Sequence, residues 1–525
     1  MDLNELIEMH QVAIEKMNIG DFESALEMAN KIKKSNNYYI SFLASGLLID
    51  LGVVFGKDLT REGVDLLEKN CQKMIDNGIV RQSIYYNLAN GYFNLFRLKS
   101  REDPRLNCFK ESEVDTAIKY YRKALKYGPP TPEICVNIGN CFDSSGRVID
   151  ALDSYQEALD LDFNHAMALG NKGMAMKFYA ILAGEHQKTF LLEAYSLISK
   201  ALELGVIPEA KNSFAIYLDN IKKYFPDEED LESPPEFSGY KIEAKSEFEK
   251  YSTNYCLENK LYLNICNFCQ KCEACIGDTI IIQHMTVPIT KIENFPEDDP
   301  FLRLSSFLNQ IKQDYVTARF LLILSRYGNL DLNFVDKHVK IIDTLNYNMY
   351  NVYLQLLQFA FKNFYDILDK IAFFINDYLE LGVNERQIDF RWIWYENLKK
   401  KIIHKNIVNT ENISLNALFK IHQDLESSNE NLKDIRNVIT HRFIKIKMFE
   451  SHCESGNNEI MTEENLVKNT LKLAKIVRNA IIYLLHFINT EEFKKRKKIG
   501  KSVKVGRLVA QDIPDNLKSE RHFKS

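Results

Sequence analysis

Three stretches in the second half of the chain place apolar residues at the three- and four-residue spacing of an amphipathic helix. The first contains Leu304, Phe307, Leu308, Ile311, Tyr315, Ala318 and Leu322. The second contains Leu357, Ala360, Phe364, Leu368, Ile371, Ile375 and Tyr378. The third contains Leu473, Ile476, Val477, Ala480, Ile481, Leu484, Leu485 and Ile488. With helical segments near residues 412–428 and 430–448, this pattern predicts a bundle of four or five long helices. Residues 261–263 and 279–283 could be short strands, and we leave them open.

The first half of the chain repeats itself every 34 residues. Ala117 and Tyr121 return 34 positions later as Ala151 and Tyr155. Between them, Gly139 stands where a partner helix must approach closely. Small residues at the helix crossings and a 34-residue period are the signature of tetratricopeptide repeats, which the chain resembles over about residues 6–205 and most strongly at 114–163.

Further units of the repeat are less regular. Ala194 follows Ala151 by 43 residues, so the third unit carries a nine-residue insertion. Residues 20–29 match another turn and second helix, whereas residues 40–80 are helical in pattern but match the repeat poorly. An array of this kind presents a groove to a peptide or protein partner and is not itself a catalyst.

Charge patterning suggests where the domains end. Residues 226–236 hold six acidic residues, three prolines and no basic residue, as expected of a solvated, extended linker. We therefore divide the chain into a repeat array at 1–225, a linker at 226–250, a helical bundle at 251–493 and a basic tail at 494–525. Eight Lys and Arg residues between positions 494 and 507 indicate either a solvated end of the chain or a contact for an RNA backbone.

The composition is that of a globular protein, with 46% hydrophobic and 26% charged residues. The net charge of −5 argues against a globally basic nucleic-acid binder but not against a local basic patch. The acidic N-terminus does not resemble a signal peptide. The most apolar stretches noted, 320–324 and 480–488, are far shorter than the ~20 residues of a membrane helix. We therefore expect a cytoplasmic protein without a membrane partner.

Five of the ten cysteines crowd into residues 256–275. Among them, Cys266, Cys269, Cys272 and Cys275 follow one another at a strict three-residue step. Thiolates at C-x2-C spacing are good zinc ligands, and loops that hold iron–sulfur clusters begin similarly. In a helix, however, successive cysteines would rotate by ~300° and could not all converge. Zinc or iron binding, partly buried free thiols and a redox switch all remain open, and we expect no cofactor.

The segment D-I-R-N-V-I-T-H, at residues 434–441, gathers polar side chains on one face of a helix. Asp434, Asn437 and His441 form one stripe, and Arg436 lies beside it. The opposite, apolar face consists of Leu432, Ile435, Val438 and Ile439. A guanidinium can bind two phosphate oxygens, and an imidazole can transfer a proton near neutral pH. The set therefore suits phosphodiester chemistry and requires no metal.

Arg436-Asn437-x-x-x-His441 resembles the R-x(4–6)-H signature, with Asn after Arg, of HEPN domains (higher eukaryotes and prokaryotes nucleotide-binding). The chain resembles the bacterial branch in which tetratricopeptide repeats precede a HEPN bundle. Residues 311–319 and 365–375 add to this likeness, which spans about residues 251–493. The bare spacing arises easily by chance, whereas the added Asn and the amphipathic helix make the motif more specific.

The resemblance implies an all-α protein with a tetratricopeptide-like solenoid followed by a HEPN-type bundle. Many HEPN proteins are metal-independent ribonucleases that act as homodimers, with two motifs facing each other across a twofold axis. In these enzymes the RNA 2′-OH attacks the adjacent phosphate and leaves 2′,3′-cyclic phosphate and 5′-OH ends. Many belong to toxin–antitoxin or anti-phage systems. We accordingly expect RNA (tRNA or mRNA) as the substrate and a protein or peptide in the repeat groove.

On this resemblance, His441 is the expected general acid and base, and Arg436 is the expected phosphate clamp. Asn437 would orient the imidazole or bind a phosphate oxygen. Asp434 could hold the imidazole tautomer, although the signature does not require it. A second set, Arg478-Asn479 with His486, has too long a spacing. Because His486 lies near the apolar stripe, it is expected to be a core histidine.

Two rival functions remain. A non-catalytic adaptor would use the same bundle for dimerisation and the repeats for protein binding. A metal or redox sensor would depend on the cysteine run instead. Toxicity that depends on His441 would favour the nuclease over the adaptor, and elemental analysis would test the sensor.

Overall fold

The computed structural model describes residues 2–102, 112–225, 241–282, 300–342, 345–427, 429–449 and 459–499, together with Phe109, Leu231 and Ile513. The chain forms two compact units. The first comprises Met1–Phe178 and Leu191–Pro235, and the second comprises Tyr179–Phe190 and Glu236–Ser525. Helices dominate both units, so the prediction of an all-α fold is confirmed. Apart from Leu231, the acidic run at 226–236 lies outside the described residues, as does most of the basic tail.

Helices follow one another closely through the first 222 residues. They are α1 (Leu3–Asn18), α2 (Phe22–Ile32), α3 (Tyr38–Phe55), α4 (Lys57–Asp76), α5 (Arg81–Glu102), α6 (Glu113–Lys126), α7 (Pro132–Ser144), α8 (Val148–Leu161), α9 (Ala166–Tyr179), α10 (Gln187–Leu204) and α11 (Pro208–Lys222). The first eight pack as the successive pairs α1–α2, α3–α4, α5–α6 and α7–α8. This arrangement is the helix-pair array that the repeat predicts.

Small residues sit where the paired helices cross. A Cβ atom at Gly139 of α7 would lie 2.6 Å from the ring of Tyr155 in α8. A Cβ atom at Gly173 of α9 would lie 2.8 Å from the carbonyl oxygen of Ala194 in α10. Both separations are shorter than van der Waals contact, so each helix approaches its partner because the glycine has no side chain.

The 34-residue period also appears in the polar contacts between helices. Asn140 Oδ1 accepts hydrogen bonds from Tyr155 Oη at 3.0 Å and from Asn171 Nδ2 at 2.8 Å. One repeat earlier, Asn90 Oδ1 accepts from Tyr121 and Asn137. These tyrosine and asparagine donors are each 34 positions apart, so successive repeats carry equivalent polar contacts.

Helix α3 is more apolar than the stretches noted in the sequence. Within the described residues, it alone is long and apolar enough to cross a membrane, and about half of it is buried inside the protein. Its buried side chains share a core with α1 and α2, whose members are Leu6, Ala13, Ala25, Ala29, Ile32, Ile40, Ala44, Leu47, Leu48 and Leu51. The pattern therefore fits the central helix of a packed array, because such a helix can be equally long and equally apolar.

The second unit is a helical bundle with two minimal sheets. Its helices are α12 (Glu247–Glu258), α13 (Pro300–Arg326), α14 (Val352–Tyr378), α15 (Lys405–Val408), α16 (Ile413–Glu426), α17 (Glu430–His441) and α18 (Glu463–Ile499). α13 packs along α14, and both α14 and α16 pack on α18. Strand β1 (Tyr395–Asn397) pairs antiparallel with β2 (Ile402–Ile403), and β3 (Lys445–Lys447) pairs in parallel with β4 (Ile460–Thr462).

The three apolar faces read from the sequence form the core of this bundle. All their residues are buried except Phe307, Tyr378 and Ile476, which are half-buried. The segment near 430–448 differs from the prediction, because its helix ends at His441 and a strand follows. Within the described residues, the two stretches left open as strands are not strands. Instead, a hydrogen bond of 3.2 Å from the Ile280 N–H to the Leu263 carbonyl joins them.

Candidate active site

Helix α17 carries the predicted motif, and its apolar face holds it against the bundle. Leu432, Ile435 and Val438 are buried, whereas Ile439 is half-buried. This face packs against α14 and α16. The helix ends at His441 because Arg442 takes an extended conformation, with φ −137° and ψ −159°, and directs the chain towards β3. The polar side of α17 is thereby left to line a cavity and to meet solvent.

Arg436 is held by two carboxylates of the neighbouring helix α14. Its Nη2 lies 3.9 Å from Asp366 Oδ1 and 4.0 Å from Asp369 Oδ2. The guanidinium carbon lies 5.5 Å from the ring centre of Tyr365, within the range of a cation–π contact. Arg436 Nε is buried and has no hydrogen-bond partner among the described residues. The guanidinium is therefore attracted to both acids at distances too long for a hydrogen bond.

The two acids differ in how deeply they are buried. Burial raises the pKa of Asp369 to about 6, and the charge of Asp389 adds to this shift. The backbone N–H of Phe390 donates to Asp369 Oδ1 at 3.0 Å and, together with Arg436, opposes the shift. Burial also raises the pKa of Asp366, while Arg436 opposes that shift. Near neutral pH Asp369 favours the ionised form. A carboxylate so placed competes with any phosphate for Arg436.

Arg436 and Asn437 line one small cavity of about 150 Å³. Its other acidic, basic or imidazole lining residues are Asp369, Asp389, Arg391, His422, Glu426 and Lys433. Glu426 Oε2 lies 3.3 Å from both Arg391 Nε and Lys433 Nζ. Three acidic and three basic side chains thus face the cavity, which leaves it close to neutral.

His441 does not line this cavity among the described residues. It is exposed and occupies the last position of α17. The structure therefore brings Arg436 and Asn437 to one cavity and places His441 in solvent at the end of the same helix. Asp434 is half-buried on this helix and is not a lining residue either.

His422 is a cavity residue that the sequence interpretation missed. It is 5% exposed, and its Nε2 lies 3.3 Å from Tyr395 Oη. Burial lowers its pKa to about 3, and the charges of Arg391, Lys401 and Lys433 act in the same direction. His422 is therefore neutral near pH 7 and is suited to hydrogen bonding rather than to acid catalysis.

Asp366 and Asp369 were also missed, although a signal for them existed. They lie in the 365–375 stretch that contributed to the family likeness. Their three-residue spacing places them on one side of a helix. Lys433 stands three residues before Arg436 on α17, so the same spacing relates these two residues. By contrast, no spacing relates Asp389 or Glu426 to Arg436, because they come from a loop and from another helix.

The second Arg–Asn–His set is part of the core, as its place on the apolar stripe predicts. His486 is 4% exposed, and its Nδ1 is hydrogen-bonded to Ser414 Oγ at 2.8 Å. Its ring centre lies 4.3 Å from that of Tyr179. Burial lowers the pKa of His486 to about 4. Arg478 is 1% exposed and bonds Asn479 Oδ1 at 2.9 Å, so these residues hold the core together.

The fold and this site together define a HEPN-type helical bundle preceded by a helical array. Residues 296–491 match the family model described as LA2681-like HEPN. This stretch includes α13, α14, α16, α17 and most of α18, together with the three motif residues. The chain therefore contains an LA2681-like HEPN domain, and the resemblance inferred from the motif is confirmed.

The chain is also similar to solved structures. A tetratricopeptide-repeat protein of Thermus thermophilus, TTC0263, matches at 16% identity with a TM-score of 0.31 and covers 41% of this chain and 98% of its own. A MamA structure matches at 20% identity with a TM-score of 0.26, with the same two coverages. These scores are too low to carry an argument, so the array is assigned from its helix pairs and 34-residue period. No curated protein matches the chain.

Proposed function

We propose that the second unit is a metal-independent endoribonuclease that acts in the cytoplasm as a homodimer and is controlled by the helical array. One observation carries this proposal. Within a domain of the HEPN family, a single helix presents Arg436 and Asn437 at a polar cavity and an exposed His441 at its end. These residue types can supply the proton transfer and the charge stabilisation that in-line attack by an RNA 2′-OH needs.

The proposed reaction transfers a phosphoryl group within the RNA chain. The 2′-oxygen bonds to the adjacent phosphorus as its proton passes to a base, and the bond to the 5′-oxygen breaks as that oxygen receives a proton. The products are a 2′,3′-cyclic phosphate and a 5′-OH, and no water is consumed. His441 moves the protons, because an imidazole exchanges protons near neutral pH. Arg436 stabilises the charge that develops on the phosphate oxygens, and Asn437 binds one of them or orients the imidazole.

The exposed position of His441 supports the dimeric form of the site. Arg436 and Asn437 face a cavity of their own chain, whereas His441 projects from the end of the helix. A second copy related by a twofold axis can bring its own motif to this end, since such an interface pairs the same surface on both copies. Two Arg–His pairs would then surround one phosphate.

The helical array supplies the proposed control. Successive helix pairs form an extended surface that suits a protein or peptide ligand. We propose that a partner bound there restrains or releases the nuclease. Cleavage of tRNA or mRNA would then arrest growth, in a toxin system or in defence against phage.

One observation favours a second candidate function, a non-catalytic adaptor. Arg436 already lies within about 4 Å of Asp366 and Asp369. In a scaffold without activity, this contact would simply join α17 to α14, and the bundle would serve for dimerisation alone. The two functions therefore predict different results when His441 is lost. A nuclease would lose its activity, whereas an adaptor would not depend on His441.

The test uses purified full-length protein with total bacterial RNA in the presence of EDTA. We expect wild-type protein to produce fragments with 2′,3′-cyclic phosphate and 5′-OH ends, and we expect His441→Ala and Arg436→Ala to produce none. His338→Ala replaces another exposed histidine of the same unit. Arg442→Ala removes the neighbouring arginine, which pairs with Glu459 at 2.8 Å. Both controls should retain cleavage.

Expression in cells separates the two functions when the RNA target is unknown. Wild-type protein should arrest growth, and His441→Ala should relieve the arrest at equal protein level. Toxicity that survives His441→Ala would contradict the nuclease. A stable dimer without cleavage or toxicity would favour the adaptor.

A further inference from the structure

Four cysteines are buried together in an irregular segment of the second unit. Cys266, Cys269, Cys272 and Cys275 are 1%, 5%, 8% and 0% exposed, and all four are free thiols. The segment between residues 261 and 282 contains only single turns of helix in its described structure. Four buried thiols in a segment with so little helix or strand require a physical explanation.

The backbone reverses between the two halves of this segment. Cys266–Phe268 and Glu273–Ile276 are short 3-10 turns, and Gln270 between them has a left-handed φ of 55°. A hydrogen bond of 2.8 Å from the Gln270 N–H to the Cys266 carbonyl closes the first turn. The segment is therefore not one continuous helix, so the helical geometry that would keep the cysteines apart does not apply, and a chain reversal lets the two C-x2-C halves face each other.

The two turns are built alike and lie against each other. The Cys269 N–H donates to the Cys266 carbonyl and the Cys275 N–H donates to the Cys272 carbonyl, both at 3.1 Å. Across the reversal, the Cys275 thiol donates to the Cys266 carbonyl at 3.2 Å. A sulfur of the second turn therefore lies at the first turn, within a segment where all four thiols are buried.

Neighbouring polar residues fix this arrangement. The buried Asn264 accepts from the Asn267 N–H at 2.9 Å and donates to the carbonyls of Cys275 at 3.2 Å and Gly277 at 2.6 Å. Arg319 of α13 bonds Asp278 at 2.7 Å at the far end of the segment. The two turns are thus tied to each other and to the bundle.

We propose that Cys266, Cys269, Cys272 and Cys275 bind one zinc ion. Four sulfurs held about 2.3 Å from one zinc ion lie about 3.8 Å apart, which two single turns packed against each other can supply. A four-iron cluster would hold them much further apart. As the side chains stand, no three His, Cys, Asp or Glu side chains of the described residues are arranged around a common ion, and the Cys275 thiol donates to the Cys266 carbonyl instead.

Binding replaces these contacts by metal bonds. The zinc ion displaces four protons, and rotation of the side chains on the existing backbone turns the sulfurs towards it. The resulting centre carries a net charge of about −2. Lys260 and Arg478 add positive charge nearby, at 5.5 and 5.8 Å from the ring centre of Phe268. The site is structural and independent of the proposed nuclease chemistry.

The test is elemental analysis of full-length protein after incubation with excess zinc and gel filtration. We expect one zinc per chain and no iron. Cys272→Ser combined with Cys275→Ser should lose the zinc. Cys135→Ser and Cys141→Ser, which replace buried cysteines outside the segment, should retain it.

If the double variant fails to fold, the wild-type protein still tests the proposal. Reconstitution with cobalt(II) should give the intense visible bands of a tetrahedral site and the near-ultraviolet charge-transfer band of thiolate ligands. Zinc well below one equivalent, or cobalt without these bands, would overturn the proposal. Bound iron with inorganic sulfide would overturn it in favour of an iron–sulfur cluster.

Discussion

Replacing Asp369 by Asn should stabilise the second unit at neutral pH and leave it almost unchanged in acid. Asp369 is 29% exposed through its side chain, and its pKa is raised to about 6 from the ordinary 3.8, chiefly by burial. Asn retains an oxygen that can accept the hydrogen bond from the Phe390 N–H. The substitution therefore removes the charge and keeps the local geometry.

The sign follows from proton binding in the two states. Between pH 3.8 and about 6, folded Asp369 holds its proton while the unfolded chain releases it. Wild-type stability therefore falls as the pH rises through this window, and the loss persists above it. At 1.36 kcal/mol per pKa unit, the shift corresponds to at most about 3 kcal/mol. Because solvent screens this partly exposed carboxylate, we expect about 1 kcal/mol.

Thermal unfolding of both proteins at pH 4 and pH 7.5 measures this difference. A change of about 1 kcal/mol corresponds to roughly 2–4 °C in a domain of this size, so Asp369→Asn should raise the midpoint by that amount at pH 7.5. Asp366→Asn, one turn away and 40% exposed, should give a smaller rise. A variant less stable than wild type at pH 7.5 would refute the argument that Asp369 is a poorly compensated charge. An equal shift of the unfolding midpoint at both pH values would refute it too.

Two further predictions concern packing and burial. Gly139→Ala should destabilise the array by about 1–3 kcal/mol, because the new methyl group would meet the Tyr155 ring at 2.6 Å. Gly46→Ala, whose new Cβ atom would have its nearest neighbour at 3.5 Å, should be neutral or stabilising by up to about 1 kcal/mol. Thermal unfolding of the two variants measures both changes. Since burial lowers the pKa of His486 to about 4, wild-type stability should fall as the pH drops from 6.5 towards 4. His486→Gln should show a smaller fall between pH 7.5 and 5, and an equal fall would contradict this assignment.

Much of the fold was predictable because its signals are local. Each apolar stripe of the bundle and each small residue of the repeat acts within one helix or between adjacent helices. The 34-residue spacing of Tyr121 and Tyr155 therefore reappears as equivalent contacts to Asn90 and Asn140. The apolar character of helix α3 was underestimated because its apolar residues surround much of the helix rather than form one stripe, as expected when several neighbours cover it.

The candidate site was predictable only in part. Arg436, Asn437 and His441 follow from a motif within one helix, so their shared helix could be inferred. The contacts of Arg436 depend on how α14 packs against α17. The sequence separation between residues 366 and 436 carries no information about that packing. The end of α17 at His441 was likewise missed, because the next residues join a strand formed with a segment further along the chain.

The sequence by itself determined where most helices lie, which faces they bury and which helix carries the Arg–Asn–His motif. These properties depend on residues three or four positions apart, whose relative directions the helix geometry sets. The tertiary structure alone decided that Asp366 and Asp369 face Arg436, that His441 meets solvent and that the two cysteine-bearing turns lie against each other. Each of these outcomes depends on the packing of separate helices, on where a helix ends, or on a chain reversal such as that at Gln270, where contacts between distant residues select the geometry.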